Sequence, residues 1–142
     1  MRRFIFWAIL WTGVAAAQAA DRTLLAVTFP DGTVIQAEAA RTPEEQARGL
    51  MFRPALEENR GMLFLLDGAR PHPFWMKNTL IALDIIWMDE KKTVIHIEYQ
   101  TPPCKADPCP TYGPSSPSQY VLEVKAGVAR QRGLKPGMIL KF

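Results

Sequence analysis

The segment from Pro73 to Met88 constrains the fold more than any other part of the sequence. A polar run, Lys77-Asn78-Thr79, leads almost directly into the apolar stretch 81–88, in which Asp84 is the single acidic residue. Burying polar groups without hydrogen-bond partners costs roughly 1–3 kcal/mol for a neutral group and more for a charged one. The segment therefore predicts a buried strand whose polar residues either bond to one another inside the protein or face a ligand.

Residues 1–19 have the pattern of a secretory signal peptide. Arg2 and Arg3 supply the positive start, an apolar run follows, and small residues surround Ala19, where we expect cleavage. The apolar run, 4–17, is only 14 residues long, whereas a membrane span needs roughly 20. The sequence thus predicts a periplasmic or secreted protein that begins at Ala20 and is membrane-anchored only if the leader is uncleaved.

Residues 20–142 are predicted to form a single globular domain, since this length suffices for a self-contained hydrophobic core. Without Arg2 and Arg3, 15 basic residues face 14 acidic ones, and no cluster of Lys or Arg remains. Affinity for nucleic-acid phosphates depends on such clusters. We therefore expect no nucleic-acid partner, and no stable membrane span once the leader is removed.

Turn signals divide the mature chain into short strands. Pro-Asp-Gly at 30–32 separates two alternating segments and predicts a hairpin, while Thr-Pro-Glu-Glu at 42–45 has the capping-box pattern of a helix start. Strand-like segments follow at 61–66, 81–88, 93–99, 120–124 and 138–142, with one or two helical turns at 127–132. The pattern predicts an α+β, mostly β fold: a compact antiparallel sheet or partly open barrel of about seven or eight short strands with one or two small helices.

The two cysteines, Cys104 and Cys109, lie in a proline-rich irregular loop, 101–118. A disulfide between them is the expected state in an exported protein. A redox pair usually has two intervening residues and a zinc site needs four ligands, so these two alternatives are less favoured and no metal is expected. For so small a ring the bond contributes roughly 2 kcal/mol, and it fixes the loop rather than the core.

Five short blocks of the sequence together carry a family signature. They are Arg-Gly-Leu-Met at 48–51, Gly-Met-Leu-Phe at 61–64, Phe-Trp-Met-Lys-Asn-Thr at 74–79, Leu-Asp-Ile at 83–85, and Tyr-Val-Leu-Glu-Val at 120–124 followed by Ala126-Gly127. In order and spacing they resemble the domain of unknown function 192 (DUF192) family, over roughly residues 25–142. The resemblance implies a compact, largely antiparallel β fold, commonly behind a signal peptide or anchor. It implies no established activity.

Eight residues are candidates for a ligand site. Strand alternation puts Asp84 on the same face as Ile86 and at least half buried, so its carboxylate needs donors, and Lys77, Asn78, Thr79 and the preceding turn are nearest in sequence. Arg48 at the helix end either pairs with Glu123 or clamps an anion. Trp75 is the aromatic residue that we expect beside a pocket. The full set is Arg48, Trp75, Met76, Lys77, Asn78, Thr79, Asp84 and Glu123.

The favoured function is an exported ligand-binding or accessory protein of the cell envelope, with an unknown small molecule or envelope component as its partner. The first alternative is a small envelope enzyme with Asp84 as general base and Lys77 as electrostatic stabiliser. Common hydrolase and phosphate-loop motifs are missing, so a non-enzyme is favoured and no cofactor is expected. If Lys77, Asn78 and Asp84 are buried and bonded to one another, their role is structural.

A second alternative is a periplasmic Cu(I) binder, because thioethers are suitable ligands for Cu(I). Methionine is more often a filler of irregular core space, and none of these methionines forms a tight Met-x-Met cluster. The core role is therefore favoured. The candidate ligands are Met51, Met62, Met76, Met88 and Met138, with His72 or His96 as a fourth ligand.

Overall fold

The computed structural model describes residues 23–142. Within them the elements follow in the order β1 (Leu24–Thr28), β2 (Val34–Ala40), α1 (Pro43–Arg48), β3 (Arg60–Arg70), β4 (Phe74–Trp75), β5 (Leu83–Met88), β6 (Val94–Thr101), β7 (Thr111–Tyr112), β8 (Ser118–Lys125) and α2 (Val128–Gln131). This part of the chain contains no helix long and apolar enough to span a membrane. The signal peptide predicted for residues 1–19 lies outside the described residues and stays a prediction.

Six strands form one sheet in the order β1-β2-β3-β8-β5-β6. Every neighbouring pair is antiparallel except β2 and β3, which are parallel. Parallel neighbours need a crossover connection, and α1 with the segment after it supplies one. The sheet does not close on itself, and β4 and β7 form a separate two-stranded ribbon. The prediction of a mostly β fold with one or two small helices is confirmed. Of the two forms predicted, a sheet or a partly open barrel, the structure has the open sheet.

Local sequence signals account for the first third of the fold. In the β1–β2 turn the Asp31 carboxylate accepts hydrogen bonds from the backbone N–H and the hydroxyl of Thr33, both at 2.9 Å. At the start of α1 the Thr42 hydroxyl accepts from the Glu45 N–H at 3.2 Å, and the Glu45 carboxylate accepts from the Thr42 N–H at 3.0 Å. The predicted hairpin and capping box are therefore both confirmed.

The central strands are buried on both faces because a hydrophobic core covers each side of the sheet. All six residues of β5 are buried. The C-terminal core includes Ile86 and Leu122 together with Leu134 and Leu140 of the last segment. The aromatic core lies on the other face and includes Leu50, Phe64, Met76, Ile85, Trp87 and Val121.

The strand predicted at 138–142 is not formed. The segment makes only two isolated bridges, Thr28 with Lys141 and Thr93 with Ile139. Thr28 is the last residue of β1 and Thr93 directly precedes β6, and these are the two outer strands of the sheet. The chain end therefore bridges each edge at a single residue and forms no ladder along either. Its buried Leu140 still packs into the C-terminal core.

Candidate functional site

A pocket of about 330 Å³ opens on the side of the aromatic core. We call it the Trp75 pocket. It lies between α1, the end of β3 and β4, and its volume is at the lower end of the roughly 300–1,000 Å³ typical of ligand sites. Its large apolar residues are Leu50, Met51, Phe64, Leu66, Phe74 and Trp75. Its polar residues are Gln46, Arg48, Arg70, His72, Thr79 and Glu123.

Glu123 is placed in this pocket by the register of the sheet. On β8 it shares a face with Val121 of the aromatic core, and its cross-strand partners are Met62 of β3 and Ile85 of β5. A Cβ added at Gly49 would lie 3.3 Å from the Phe64 ring and 3.9 Å from Glu123 Oε2. The carboxyl group therefore lies directly behind the end of α1, beside an aromatic ring.

The Glu123 side chain is almost completely buried. The residue is 5% exposed, and its Oε2 has no hydrogen-bond partner within the described residues. Burial in apolar surroundings raises the pKa of Glu123 to about 8, although the positive charge of Arg53 opposes the rise. The group is consequently protonated, and uncharged, at neutral pH.

Arg53 acts on Glu123 only through space, because its guanidinium is already committed to another carboxylate. Its Nη1 and Nη2 donate to Oε1 and Oε2 of Glu38 at 2.6 and 2.8 Å. This two-point hydrogen bonding raises the pKa of Arg53 above its ordinary value, against the opposing effect of burial. Glu38 is itself buried on β2, so the pair is a structural ion pair at the edge of the aromatic core.

Two arginines line the pocket. Arg48 ends α1 and Arg70 ends β3, and both residues are exposed. Neither forms an ion pair with any residue between 23 and 142. The predicted alternative in which Arg48 pairs with Glu123 is therefore wrong, since the helix end holds Arg48 at the surface while Glu123 is buried.

Trp75 forms a half-exposed wall of the pocket, as expected from the sequence. Residues Phe74 and Trp75 pair with Tyr112 and Thr111 of β7, and the Cys104 N–H donates to the Met76 carbonyl at 3.4 Å. The Cys104–Cys109 disulfide is present, as predicted. The irregular loop thus supports the back of the pocket wall, and none of its residues lines the pocket.

Lys77 and Asn78 are turned away from any shared polar site. The Lys77 ammonium lies 3.3 Å from the Asp107 carboxylate and 5.5 Å from the centroid of the Trp75 ring. Asn78 is exposed, with a φ of 55°, and its carbonyl accepts the Phe52 N–H at 2.8 Å. Thr79 is buried and lines the pocket, whereas Met76 belongs to the aromatic core. The mutual bonding of Lys77, Asn78 and Asp84, considered above as the structural alternative, is not formed.

Asp84 lies on the opposite face of the sheet from the pocket. It pairs with Val124, while its neighbour Ile85 pairs with Glu123, and successive residues of a strand face opposite sides. Its carboxylate accepts three backbone N–H groups, those of Gln100 at 2.8 Å, Gly127 at 3.0 Å and Ala129 at 2.9 Å. The expectation that Lys77, Asn78, Thr79 or the preceding turn supplies the donors is wrong, because long-range pairing brings β6 and α2 closer.

The structure keeps apart the residues that each of the two alternative functions, the acid–base enzyme and the copper binder, would need together. Asp84 is fully buried and hydrogen-bonded, while Lys77 is paired with Asp107, so the structure does not bring the suggested base and stabiliser together. The five methionines are spread over the fold: Met62 and Met76 lie in the aromatic core, Met88 and Met138 on the C-terminal core, and Met51 lines the pocket. They therefore cannot all converge on one copper ion.

Arg70 and His72 line the pocket but were not among the eight sequence-derived candidates for the ligand site, although His72 was considered as a copper ligand. His72 is 8% exposed, its Nε2 lies 3.1 Å from the Gly68 carbonyl, and its own carbonyl accepts the Trp87 indole N–H at 2.9 Å. The signal available in the sequence is the Pro-His-Pro run at 71–73, which predicts an extended entry to β4. The position of Arg70 depends on β3 continuing past residue 66 to pair again with Ser118.

Comparison with known proteins finds a family model and solved structures that are similar to this chain. The family model DUF192, described as "Uncharacterized ACR", matches residues 26–142. A crystal structure of a protein of unknown function from Novosphingobium aromaticivorans is 34% identical, with a TM-score of 0.79 over 88% of this chain and 89% of that one. A Sinorhizobium meliloti protein described as a candidate transcription regulator is 29% identical, with a TM-score of 0.76 over 84% and 94%. No curated protein is significantly similar.

Replacing Asp84 by Asn should destabilise the fold. The three backbone donors bond to both oxygens of the Asp84 carboxylate, whereas the amide of Asn has only one oxygen. At least one of the three donors therefore loses its acceptor. We expect the free energy of unfolding to fall by about 2–4 kcal/mol, as for buried hydrogen bonds to charged groups. Urea unfolding measures the change. Asp107→Asn is the control, expected below 1 kcal/mol because its ion pair is exposed, and equal losses in both variants would contradict the assignment.

Glu123→Gln should remove a pH dependence of stability. Below about pH 4.5 both states of the parent are protonated; between 4.5 and about 8 the unfolded chain releases a proton that the folded chain retains, so stability falls as pH rises and stays low above pH 8. The variant should resemble the parent at pH 4 and exceed its stability by roughly 4–5 kcal/mol at pH 9.

Urea unfolding at several pH values measures this difference, with the exposed Glu57→Gln as control. Parallel pH profiles for the parent and Glu123→Gln would show that Glu123 keeps an ordinary carboxyl environment in the folded protein.

Replacing both cysteines by Ser should loosen the wall that carries Trp75. The loop holds β4 through the Phe74–Tyr112 and Trp75–Thr111 pairs, and a ring of this size stabilises the protein by about 2 kcal/mol. Amide hydrogen exchange in β4 and β7 should accelerate beyond the global loss of stability. The β1–β2 hairpin at the far edge is the internal control, and unchanged protection of the ribbon would show that it holds without the disulfide.

Proposed function

We propose, on the premise that this chain belongs to the DUF192 family of uncharacterised proteins, that it is an exported protein of the cell envelope that binds a small molecule in the Trp75 pocket. The leader pattern of residues 1–19 supports export, and so does a disulfide, which persists in oxidising compartments. The binding role rests on the pocket itself.

The observation that carries the proposal is the buried Glu123 carboxyl. Leaving a buried polar atom without a hydrogen bond costs about 1–3 kcal/mol, and Glu123 Oε2 has no such bond within the described residues. An apolar residue at this position would avoid that cost. A ligand that bonds to the carboxyl recovers it, which gives a reason for placing an acid beside Phe64 in an otherwise apolar wall.

The remaining walls suit an amphipathic ligand. Phe74 contacts Phe64 and Trp87 edge-on, with centroids 4.9 and 5.8 Å apart, so the aromatic wall is rigidly packed. Trp75 continues this wall outward and is 49% exposed, which leaves ring surface for a ligand to cover. Apolar walls with a few convergent polar groups are typical of small-molecule sites.

The acid–base alternative receives less support from this geometry. Asp84 lies behind the sheet with all its hydrogen bonds formed, and Lys77 is paired with Asp107. Glu123 is the only acidic residue among the described residues that line the pocket. Binding needs nothing further from the pocket, whereas the proposed catalysis needs two groups that lie apart.

The test is a thermal unfolding screen of the purified chain against small organic anions, amines, sugars and peptides. Ala47→Trp, an exposed substitution on α1 at the pocket rim, should fill the pocket, while Ala26→Trp on β1 at the far sheet edge is the matched control. A ligand at 100 times its Kd stabilises the native state by about 2.7 kcal/mol. We expect a hit for the parent and Ala26→Trp that is lost in Ala47→Trp; equal shifts in all three would place binding elsewhere.

A further inference from the structure

We propose that the Trp75 pocket takes an amphipathic organic anion, with its carboxylate or phosphate at Arg48 and Arg70, its apolar body along Phe74 and Trp75, and a neutral hydrogen-bond acceptor at Glu123. This inference rests on the proposed function and names its ligand class. It is carried by three features of one cavity: two guanidinium groups without an ion-pair partner in residues 23–142, an aromatic wall, and a buried carboxyl whose Oε2 has no hydrogen-bond partner in that range.

The sign of the ligand charge follows from the charges that line the pocket. Arg48 and Arg70 are both cationic and unpaired within residues 23–142, whereas Glu123 is the only acid lining the pocket in that range. A buried carboxyl without compensation stays protonated at neutral pH. The pocket is therefore net positive, and guanidinium groups bind carboxylates and phosphates through paired hydrogen bonds.

The two ends of the pocket require different groups on the ligand. Arg48 and Arg70 are exposed, whereas Glu123 is 5% exposed. An anion at the two exposed arginines keeps part of its hydration, so its desolvation cost is small. A charged amine against Glu123 would instead form a buried ion pair, whose desolvation cost commonly offsets the attraction. A carbonyl or other neutral acceptor can instead take the proton of the Glu123 carboxyl as a hydrogen bond.

The arrangement makes binding sensitive to pH above neutrality. Other charged or titratable groups around Glu123 are Arg48 on α1, Arg53 after it with Glu38 on β2, Arg70 at the end of β3 and His72 after it, while β5 presents the apolar Ile85. Between pH 7 and 9.5 the arginines keep their charge. Ionisation of Glu123 in that interval removes the donor and adds a negative charge, so affinity for an anion should fall.

The experiment is isothermal titration calorimetry with matched probes of one shape. They are 4-acetylbenzoate, 4-acetylphenyl phosphate, 4-ethylbenzoate without the acceptor, acetophenone without the anion, and the cation 4-acetylbenzylamine. We expect 4-acetylbenzoate or the phosphate to bind at least tenfold more tightly than the last three. The preference between the first two identifies the anionic group.

Substitutions test which residues contact the bound probe. Arg48→Gln/Arg70→Gln should weaken the preferred probe at least tenfold, whereas the charge-matched control Arg132→Gln/Lys135→Gln, exposed residues that do not line the pocket, should not. Glu123→Gln still offers an amide donor, so it should bind at pH 7 and lose the decline seen between pH 7 and 9.5. That pH readout would not move if Glu123 were only structural.

Three results would overturn the inference: equal binding of acetophenone and 4-acetylbenzoate, tighter binding of the amine, or a Glu123→Gln variant with the parent's pH profile. If none of the five probes binds but the broader screen finds a ligand blocked by Ala47→Trp, the ligand class is wrong and the proposed function stands. If nothing stabilises the parent, both fail.

Discussion

The pairing of β5 with β8 at the middle of the sheet is the constraint on which the rest of the structure depends. Both strands are buried on both faces, and successive residues of each strand point into opposite cores. The register of the pairing therefore determines which core each side chain enters. The register that sets Ile85 opposite Glu123 also sets Asp84 opposite Val124. One carboxyl is thereby directed to the C-terminal core and the other to the aromatic core.

The two carboxyls show how burial has opposite consequences when the donors differ. Asp84 meets three backbone N–H groups from β6 and α2, which fasten those elements to the centre of the sheet. Glu123 meets the apolar Met62, Ile85 and Phe64, and the nearby Arg53 is already bound to Glu38. The first arrangement stabilises the fold, whereas the second leaves an unsatisfied group in a cavity, as expected of a binding site.

The periphery serves the pocket rather than the core. The disulfide loop pairs β7 with β4 and so holds Trp75 in place, while α1 brings Arg48 to the rim and Gly49 close to Phe64. Because β4 has only two residues, its position depends on these outside contacts. Rigid placement of few groups is what limits the entropic cost of binding a small ligand.

The sequence by itself determined the features that depend on neighbours along the chain: the β1–β2 hairpin, the capping box at Thr42, the disulfide and Trp75 as a pocket residue. Local turn chemistry, helix capping and side-chain alternation act over a few residues, so they can be read directly. Only the tertiary structure decided the donors of Asp84, which lie 16 to 45 residues away, the Arg53–Glu38 pair, and the isolation of Glu123. These depend on which distant strands pair and in what register, and that is set by packing of the two cores rather than by any local pattern.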